Sequence, residues 1–481
     1  MEQRLGTPER PLRVAIIGAG PAAFYTAEAL LKRSDLVCSI DIFNHFPTPF
    51  GLVRDGVAPD HQSIKSVTRI YDRIAANPAV RYFGNVTFGT DVRRDDLKCF
   101  YDQIVYAVGA QADRRMGIPG EDLQGSFPAT AFVGWYNGHP DYRDLDVDLS
   151  HECVVVVGNG NVAMDVARIL VESPDVLAKT DIADHALAKL RESKVREVVM
   201  LGRRGPAQAA FTNAELKEFG ELADVNVLVD PADLELDENS AELLANDKMA
   251  ERNVTLLRSY AARTGQTGRR SIRMRFLVSP VELIGDSGRV VAVKIEKNRL
   301  VMGDYGGLRA KGTGAFEEIE AGLVLRSVGY RSVPLQDVPF DDVTFTITNV
   351  AGRVVFSASG DPVGGEYVVG WAKRGPSGVI GTNKPDAVST VAAMVEDLPS
   401  LPGIPDENRD PARIEALLAR CKPDYVTWSD WKALDAFEVA RGAEIGRPRV
   451  KVTSVPEMIE IIRHARSNQS TAPTLSKVGA G

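Results

Sequence analysis

The chain has 481 residues, of which 44% are hydrophobic and 25% charged, a composition typical of a folded protein with two or three domains. Its apolar runs are far shorter than the ~20 residues that a membrane-spanning helix requires. With 65 acidic and 57 basic residues the formal net charge is −8, so we expect neither a nucleic-acid partner nor attachment to an anionic membrane.

The cysteines exclude several classes of chemistry. There are four, at positions 38, 99, 153 and 421, and no two form a C-x-x-C pair. This pattern argues against a disulfide scaffold, an iron-sulfur or zinc site and dithiol redox chemistry, so no metal is expected. The first 13 residues mix acidic and basic side chains without an apolar core, unlike a secretory signal. We therefore expect a cytoplasmic protein.

The first predicted element is a strand ending at Ile17, followed by a glycine turn and a helix to about Lys32. The strand is β-branched and lacks polar alternation, which is typical of a central parallel strand covered on both faces. Gly18 and Gly20 would let the backbone approach a pyrophosphate, which the N-H groups of the following helix can hold. The predicted turn and helix start comprise Gly18, Gly20, Pro21, Ala22 and Ala23.

The same pattern occurs again from Cys153, where a strand runs into Gly158-Asn159-Gly160-Asn161-Val162 and then a helix to Glu172. A single G-x-G turn is weak evidence, because such turns also occur where nothing binds. Two copies in the context of strand, turn and helix predict two dinucleotide-binding folds. The predicted fold class is therefore α/β, with two Rossmann-like domains built on three-layer, mostly parallel sheets.

The remaining elements are predicted from hydrophobic pattern and glycine content. Further strands are expected at 40–43, 103–108, 197–201, 226–229, 290–295 and 323–327, and helices at 386–397, 410–421, 428–442 and 454–467. Glycine-rich residues 301–314 predict a hairpin with an exposed loop. Ser470 to Gly481 are expected to be disordered.

The residues after each glycine motif indicate which nucleotide would bind there. The strand after the second motif ends at Arg203-Arg204, where an NAD site would offer a carboxylate to the ribose. Two guanidinium groups suit a 2′-phosphate, so NADP(H) is favoured over the alternative of a solvated basic turn. After the first motif, Asn44 stands where Asp or Glu usually binds an adenine ribose. Asn can also accept that hydrogen bond, and FAD is expected here.

Four longer strings carry a resemblance to a known family. They are Phe46 to His61 (FPTPFGLVRDGVAPDH), Val157 to Arg168 (VGNGNVAMDVAR), Gly202 to Thr212 (GRRGPAQAAFT) and Val369 to Lys384 (VGWAKRGPSGVIGTNK). Together they resemble the adrenodoxin reductase family, and are most similar to its bacterial NADPH-ferredoxin reductases. The resemblance runs from about residue 12 to about 465. It implies an FAD domain from both ends of the chain, 1–112 and 335–481, with an NADP domain, 113–334, inserted between them.

The resemblance also implies cofactor contacts at matching positions. For FAD these are Ala23, Asn44, Leu52, the backbone near Phe88, Trp371, Gly378, Val379 and Ile380. For NADP they are Asn159, Gly160, Asn161, Val162, Arg203, Arg204 and Glu215, with Gly378 shared. The family usually has Glu at the position of Asn44, which puts the strength of adenosine binding in question.

Asp60, His61 and Glu215 are the candidates for acid-base or orienting roles. A His-carboxylate pair could orient the nicotinamide and relay a proton, although His61 could equally be a structural residue of a Pro-rich loop. Trp371 could cover the flavin ring, the alternative being an ordinary core aromatic. The free N-H groups of 375–381, before the predicted helix, could face the flavin and favour its reduced, negatively charged form.

The sequence thus predicts an FAD enzyme that takes hydride from NADPH and passes single electrons to a ferredoxin-type iron-sulfur protein, or runs in reverse. Two alternatives remain open: a flavin monooxygenase, whose F-x-G-x-x-x-H signature is nearly spelled by 132–139, and a non-catalytic NADPH sensor. An acidic ferredoxin would require a basic docking patch. The candidate patch is Arg269, Arg270, Arg273 and Arg275, with a solvated edge strand as the alternative.

Overall fold

The computed structural model of the protein describes residues 4–303, 307–356 and 360–471. Its contacts divide the chain into two compact units. The first comprises the residues up to Val57, His61–Ala112 and the residues from Tyr330 onward, and the second comprises Ala58–Asp60 and Asp113–Gly329. Apart from the short segment Ala58–Asp60, the units change between 112 and 113 and between 329 and 330, whereas the second boundary of the predicted cofactor domains lies between 334 and 335.

The first unit contains, within its described residues, a seven-stranded sheet. The strands in spatial order are Asn349–Val350, Arg353–Val355, Pro362–Val368, Gln103–Tyr106, Leu12–Ile17, Cys38–Phe43 and Val80–Phe83. The last five run parallel to one another, and the first two extend the sheet in antiparallel fashion. A small hairpin, Phe340–Asp341 with Thr346–Ile347, lies outside this sheet.

Both faces of this sheet are buried, as the absence of polar alternation predicts. In the strand Leu12–Ile17, Val14 and Ile16 pack into one apolar core, and Ala15 and Ile17 pack into another on the opposite face. The helices of the unit that cover these faces and connect the strands are Pro21–Leu31, Leu52–Asp55, Gln62–Lys65, Thr68–Ala75, Arg94–Phe100, Trp371–Arg374, Asn383–Glu396, Ala412–Cys421, Trp428–Glu444 and Val455–Thr471.

The second unit is built on a parallel sheet that has six strands in the described part of the chain. In spatial order they are Ser126–Pro128, Leu323–Arg326, Cys153–Val157, Glu197–Leu201, Arg270–Arg275 and Val225–Val229. Its helices are Ala129–Asn137, Asn161–Val171, Pro174–Leu177, Asp184–Arg191, Asn213–Glu221, Glu238–Asn246 and Lys248–Ala261. The predicted parallel α/β pattern is confirmed in both units.

An antiparallel sheet covers one face of the parallel sheet of the second unit. Its strands are Val278–Asp286, Arg289–Met302 and Leu308–Glu320. Val155 and Val157 pack against its Leu283, Val293 and Ile295, while Val154 and Val156 face helices on the other side. The predicted hairpin is present as the antiparallel pair Arg289–Met302 and Leu308–Glu320, whose strands are much longer than expected, and residues 304–306 lie outside the described residues.

Two further expectations concern the chain end and membranes. Of the tail predicted to be disordered, Ser470 and Thr471 are the last residues of a helix, and residues 472–481 lie outside the described ones. Within the described ranges, no helix combines the length and apolarity needed to cross a bilayer.

Candidate functional site

The first glycine turn has a shape that only glycine permits. Gly18 has a φ of 104°, and a Cβ on it would lie 2.5 Å from the carbonyl oxygen of Ala107. Gly20 is different, because nothing lies within 4 Å of the Cβ that another residue would have there. The helix Pro21–Leu31 then begins without a side-chain cap on its N-terminal N-H groups. The turn thus combines open space with uncapped donors, which is what a pyrophosphate requires.

A second segment approaches this turn within the first unit. The N-H of Phe50 donates to the carbonyl of Ala19 at 2.8 Å, and a Cβ on Gly51 would lie 3.2 Å from the Cα of Gly20. Phe50 has a φ of 86°, which is strained for a bulky residue. Leu52, a predicted FAD contact, begins the helix Leu52–Asp55 and is 40% exposed. The strained backbone of Phe50 was not predicted, because nothing in the hydrophobic pattern of the sequence indicates a positive φ at a phenylalanine.

Asn44 follows the strand Cys38–Phe43, and its amide has a local role. Its Nδ2 donates to the carbonyls of Phe46 at 3.0 Å and Thr48 at 2.9 Å, so it organises the loop that leads to Phe50. Oδ1 is the atom that remains to accept a hydrogen bond from a ribose hydroxyl. A glutamate could accept such a bond but could not donate to the two carbonyls, which gives a physical reason for Asn at this position.

The C-terminal string forms a compact loop around Trp371. The Nε1 of Trp371 donates to the carbonyl of Ser377 at 3.1 Å, and the guanidinium of Arg374 contacts the same carbonyl. Arg374 also donates to Asn383 Oδ1 at 3.0 Å. Gly378 has a φ of 80°, and a Cβ there would lie 2.4 Å from Thr382 Oγ1. The loop geometry is therefore set by Trp371 and Arg374, and the role of Arg374 was not predicted from the sequence.

This loop belongs to the same unit as the first glycine turn and lies beside it. A Cβ on Gly370 would lie 2.7 Å from the Cβ of Ala22, and the Gly370 N-H donates to Asp386 at 2.6 Å. Val379 is 61% exposed, and Ile380 starts a short turn before the helix Asn383–Glu396, which begins three residues earlier than expected. Trp371 itself is half-buried, with its ring 5.3 Å from that of Tyr330, and is not a core aromatic.

Phe88, the remaining predicted FAD position, lies in a tight turn. The N-H of Gly89 donates to the carbonyl of Val92 at 2.8 Å, and the ring of Phe88 stands edge-on to that of Tyr106 at 5.7 Å. The ring therefore packs on the sheet, which leaves the backbone as the part of this residue that could contact a cofactor.

The second glycine turn repeats the features of the first. Gly158 has a φ of 128°, and a Cβ there would lie 2.2 Å from the carbonyl oxygen of Ser327. The space beside Gly160 is open, and no side chain caps the helix Asn161–Val171. Asn161 accepts a hydrogen bond from the N-H of Thr212 at 2.8 Å, which ties the turn to the helix that carries Glu215. Two further predicted contacts, Asn159 and Val162, lie against Gly202 and the apolar core.

Arg203 and Arg204 follow the strand Glu197–Leu201 at its carboxyl end. Arg203 is exposed and Arg204 half-buried, and among the described residues no carboxylate lies within ion-pair distance of either one. Burial and the charge of Arg203 lower the pKa of Arg204. A dianionic phosphate would supply the missing counter-charge.

Asp60 and Glu215 both contact Arg168, a residue whose role was not predicted from the sequence. Asp60 belongs to the second unit and makes two hydrogen bonds with the guanidinium, at 2.8 and 3.0 Å. Glu215, in the first turn of the helix Asn213–Glu221, lies 3.5 Å from it. His61 belongs to the first unit, where it precedes the helix Gln62–Lys65. The only feature of the sequence that pointed to Arg168 is its place at the end of the string VGNGNVAMDVAR, which carries part of the family resemblance.

The arginines of the predicted docking patch are already paired. Their strand, Arg270–Arg275, lies between two other strands, so the alternative of an edge strand is wrong. Ile272 and Met274 are buried, as expected. The partners of the four guanidinium groups are Asp224 for Arg269, the carbonyls of Val171 and Glu172 for Arg270, Glu197 for Arg273, and Glu317 with Asp233 for Arg275.

The segment 132–139, which nearly matches the F-x-G-x-x-x-H signature of flavin monooxygenases, has a role in packing. Phe132 is fully buried in the helix Ala129–Asn137, and a Cβ on Gly134 would lie 2.3 Å from the ring of Tyr142. His139 accepts a hydrogen bond from the N-H of Asp141 at 3.2 Å and so caps the following turn. These positions are explained by helix packing and capping.

Comparisons with known proteins agree with one another and with the family resemblance of the four sequence strings. Residues 12–225 match the family model described as pyridine nucleotide-disulphide oxidoreductase. The chain is 48% identical to NADPH-ferredoxin reductase FprA of Mycobacterium tuberculosis over 464 residues, which cover 94% of this chain and 99% of that protein. It is 39% identical to the mitochondrial NADPH:adrenodoxin oxidoreductase of Arabidopsis thaliana, over 94% and 95% of the two chains. A solved structure of Mycobacterium tuberculosis FprA in complex with NADPH superposes with a TM-score of 0.89 at 47% identity, covering 94% of this chain and 100% of that one.

The two glycine turns and the two Rossmann-like sheets define an oxidoreductase of the pyridine nucleotide-disulphide type, although this chain has no C-x-x-C pair. Within that class the chain belongs to the adrenodoxin reductase family, as the four sequence strings predict.

Proposed function

We propose that the protein is an FAD-dependent NADPH-ferredoxin oxidoreductase. The observation that carries the proposal is the pair of glycine turns, one in each unit, each opening an uncapped helix beside free space. The 48% identity to a protein named NADPH-ferredoxin reductase, over nearly the full length of both chains, supports the same activity. When bound, the two cofactors supply hydride transfer from NADPH to flavin and the release of single electrons.

FAD would be held by residues 1–112 and 335–481, nearly all of which belong to the first unit. Gly20 and the start of the helix Pro21–Leu31 suit the pyrophosphate, and Oδ1 of Asn44 suits the adenine ribose. The loop around Trp371 and Gly378 packs beside the same turn and would offer backbone N-H groups to the flavin. The proposed FAD contacts are Gly18, Gly20, Pro21, Ala22, Ala23, Asn44, Leu52, Phe88, Trp371, Gly378, Val379 and Ile380.

NADP(H) would be held by residues 113–334. The turn Asn159–Val162 suits the pyrophosphate, and Arg203 with Arg204 suits the 2′-phosphate. Glu215 would orient the nicotinamide end. Asp60 and His61 would assist in orientation and in moving the flavin proton, and we propose His61, Asp60 and Glu215 as the residues at the reacting atoms.

A ferredoxin-type protein is the proposed electron acceptor, as the names of the relatives indicate. The candidate docking patch remains Arg269, Arg270, Arg273 and Arg275. Because three of these arginines already pair with carboxylates, an acidic partner would have to exchange with those pairs. The basic residue Arg54 of the first unit is only 7% exposed and makes two hydrogen bonds with Glu438, so it is not available for docking.

The docking proposal is tested by reversing Arg269 and Arg273 to Glu. We expect slower reduction of ferredoxin at low salt and a weaker salt dependence, because complementary charge accelerates encounter. Reduction of ferricyanide, which needs no protein docking, serves as the control. Unchanged ferredoxin kinetics at low salt would place docking elsewhere.

The cofactor and activity proposal is tested on the purified protein. We expect one FAD per chain, released as FAD and not as FMN on denaturation, and steady oxidation of NADPH with ferricyanide as acceptor. A flavin that NADPH reduces without turnover would indicate a sensor, and oxygen insertion into an organic substrate would indicate a monooxygenase. We also propose a cytoplasmic location, which the four free thiols support.

A further inference from the structure

Arg168 is an almost fully buried arginine at the centre of a group of carboxylates. It lies on the helix Asn161–Val171 after the second glycine turn and is 3% exposed. Its guanidinium makes two hydrogen bonds with Asp60, one with Asp165 at 2.7 Å and one with Glu218 at 2.9 Å. Glu215 lies 3.5 Å away. One cation therefore contacts four anionic side chains.

Such a group is an unusual way to stabilise a fold. Removing charges from water is costly, and a buried ion pair can often be replaced by apolar residues with little loss of stability. Four carboxylates around one guanidinium also repel one another. Burial opposes the charge on Arg168, but the hydrogen bond to Asp60 and the charges of Asp165, Asp60 and Glu218 outweigh it and raise its pKa. Arg168 therefore carries its positive charge at neutral pH.

The geometry suggests what this charge does. The planar guanidinium binds both oxygens of Asp60 at once, which fixes the direction of that carboxylate as well as its position. Asp60 is 108 residues away in sequence and is followed by His61. Glu215 is on another helix, which a hydrogen bond from Thr212 to Asn161 also ties to the glycine turn. Arg168 is thus a common contact of two of the three residues proposed to act on the nicotinamide.

We propose that Arg168 is a positioning residue, which holds the carboxylates of Asp60 and Glu215 in the arrangement needed to orient the nicotinamide for hydride transfer. The proposal rests on the proposed function of these residues. Arg168 need not contact either cofactor, because it acts through the two carboxylates.

The test compares the wild type with Arg168→Met and Arg168→Lys, each purified with its bound FAD. Stopped-flow reduction by NADPH should be about 10- to 100-fold slower in Arg168→Met, because small misplacements of orienting groups have effects of this size. Arg168→Lys keeps the charge but loses the planar fork, and it should be intermediate. In Arg168→Met the acid limb of the rate profile should move to higher pH, because carboxylates protonate more easily after loss of a neighbouring positive charge.

A binding measurement gives a second result that does not depend on turnover. Calorimetric titration of Arg168→Met should show NADP⁺ binding weakened severalfold, since the carboxylates that orient the nicotinamide are misplaced. Binding of adenosine 2′,5′-bisphosphate, which lacks the nicotinamide, should be unchanged. The FAD content should also be unchanged.

The matched control is Arg13→Met. Arg13 is as deeply buried, at 4% exposure, and is also bonded through its guanidinium, but it lies at the start of the strand Leu12–Ile17, at the opposite end from the Gly18 turn. It should lower the melting temperature without slowing flavin reduction. If Arg13→Met slows reduction as much as Arg168→Met, or if Arg168→Met has the wild-type rate and pH profile, the proposal is wrong.

The experiments distinguish a failure of the proposed role of Arg168 from a failure of the proposed function. If Arg168→Met does not fold, Arg168→Lys decides alone: a severalfold slower reduction with full FAD supports the proposal, and the wild-type rate overturns it. If NADPH cannot reduce the flavin of the wild-type protein, the proposed function itself is contradicted. If NADPH reduces the flavin at the same rate in the wild type and in both variants, only the role of Arg168 is contradicted.

Discussion

At the scale of single residues, the arginines of the second unit differ in what they contact. Those of the strand Arg270–Arg275 are satisfied by neighbouring carboxylates and carbonyls. Arg203 and Arg204 have no such carboxylate partner among the described residues. Two adjacent guanidinium groups without counter-charge at a strand end are a ready site for a dianion. This contrast is the structural basis for expecting NADPH and not NADH.

Replacing Arg203 and Arg204 together by Ala should therefore raise the Michaelis constant for NADPH and leave that for NADH nearly unchanged. Charge-assisted hydrogen bonds contribute about 1.5 to 3 kcal/mol each, so at least a tenfold effect is expected. The control is the double replacement of the paired Arg269 and Arg273 by Ala, which should change neither constant. Equal losses for NADPH and NADH would refute the assignment.

Asn44 leads to a second residue-scale prediction. Asn44→Ala removes the proposed ribose acceptor together with both hydrogen bonds to the loop carbonyls. Each bond is worth about 1 kcal/mol, so the dissociation constant of FAD should rise at least about fivefold. Asn226→Ala, which loses a comparable amide-backbone contact in the second unit, should not change it. An unchanged flavin dissociation constant in Asn44→Ala would show that the side chain is not a cofactor contact.

At the scale of elements, the two glycines of each turn have separate tasks. The first is required by the backbone, since Gly158 has a φ of 128° and a Cβ would collide with the Ser327 carbonyl. The second faces open space, since Gly160 has a φ of −95° and no atom within 4 Å of a Cβ. The fold therefore requires Gly158, whereas we expect Gly160 to matter for the binding of the ligand and not for the fold.

Alanine substitutions separate these tasks. Gly158→Ala should destabilise the protein by more than about 1 kcal/mol, because of the positive φ and the collision. Gly160→Ala should keep the melting temperature and weaken NADPH binding, because its methyl group would occupy the space proposed for the pyrophosphate. Thermal unfolding and NADPH titration of both variants check this. NADPH binding of wild-type strength in Gly160→Ala would show that no phosphate approaches this turn.

The elements that follow from local pattern could be predicted from the sequence. Apart from Arg13, the strands at Leu12–Ile17 and Cys153–Val157 are apolar on both faces, so their burial could be predicted without knowledge of distant contacts. The antiparallel sheet that covers Val155 and Val157 is specified only by tertiary packing. For the same reason Arg168 was not predicted: one of its main partners, Asp60, is 108 residues away, and no local pattern joins them. The paired state of Arg273 and Arg275 likewise depends on Glu197 and Glu317 from other strands.

At the scale of the whole molecule, one carboxyl group links global stability to pH near neutrality. Asp113 begins the long segment of the second unit and accepts a hydrogen bond from Thr130. Burial raises the pKa of Asp113 to about 7, although the charge of Arg326 opposes the change. Because the folded state then holds a proton that the unfolded state has lost, the contribution of Asp113 to stability falls as the pH rises from about 4 to about 7.

Asp113→Asn should remove this dependence. Over that pH range the wild type should lose at most about 1.4 kcal/mol of stability per pH unit through this group, and the variant should be more stable than the wild type at pH 8. Urea unfolding between pH 5 and pH 8 measures the difference. Asp144→Asn, at a side chain that is 90% exposed, should follow the wild-type curve. Parallel curves for Asp113→Asn and the wild type would contradict the raised pKa.

The chain contains two dinucleotide-binding folds, and we propose that NADPH delivers hydride to the flavin and that the flavin then passes single electrons to ferredoxin. The most direct measurement is anaerobic double-mixing stopped flow, in which NADPH first reduces the bound flavin and the product then meets an oxidised ferredoxin. We expect NADPH to bleach the flavin absorbance much faster than NADH does. We then expect two ferredoxins to be reduced for each flavin that is reoxidised. A flavin that NADPH does not bleach, or a reduced flavin that passes no electrons to ferredoxin although ferricyanide reoxidises it, would contradict the proposed function.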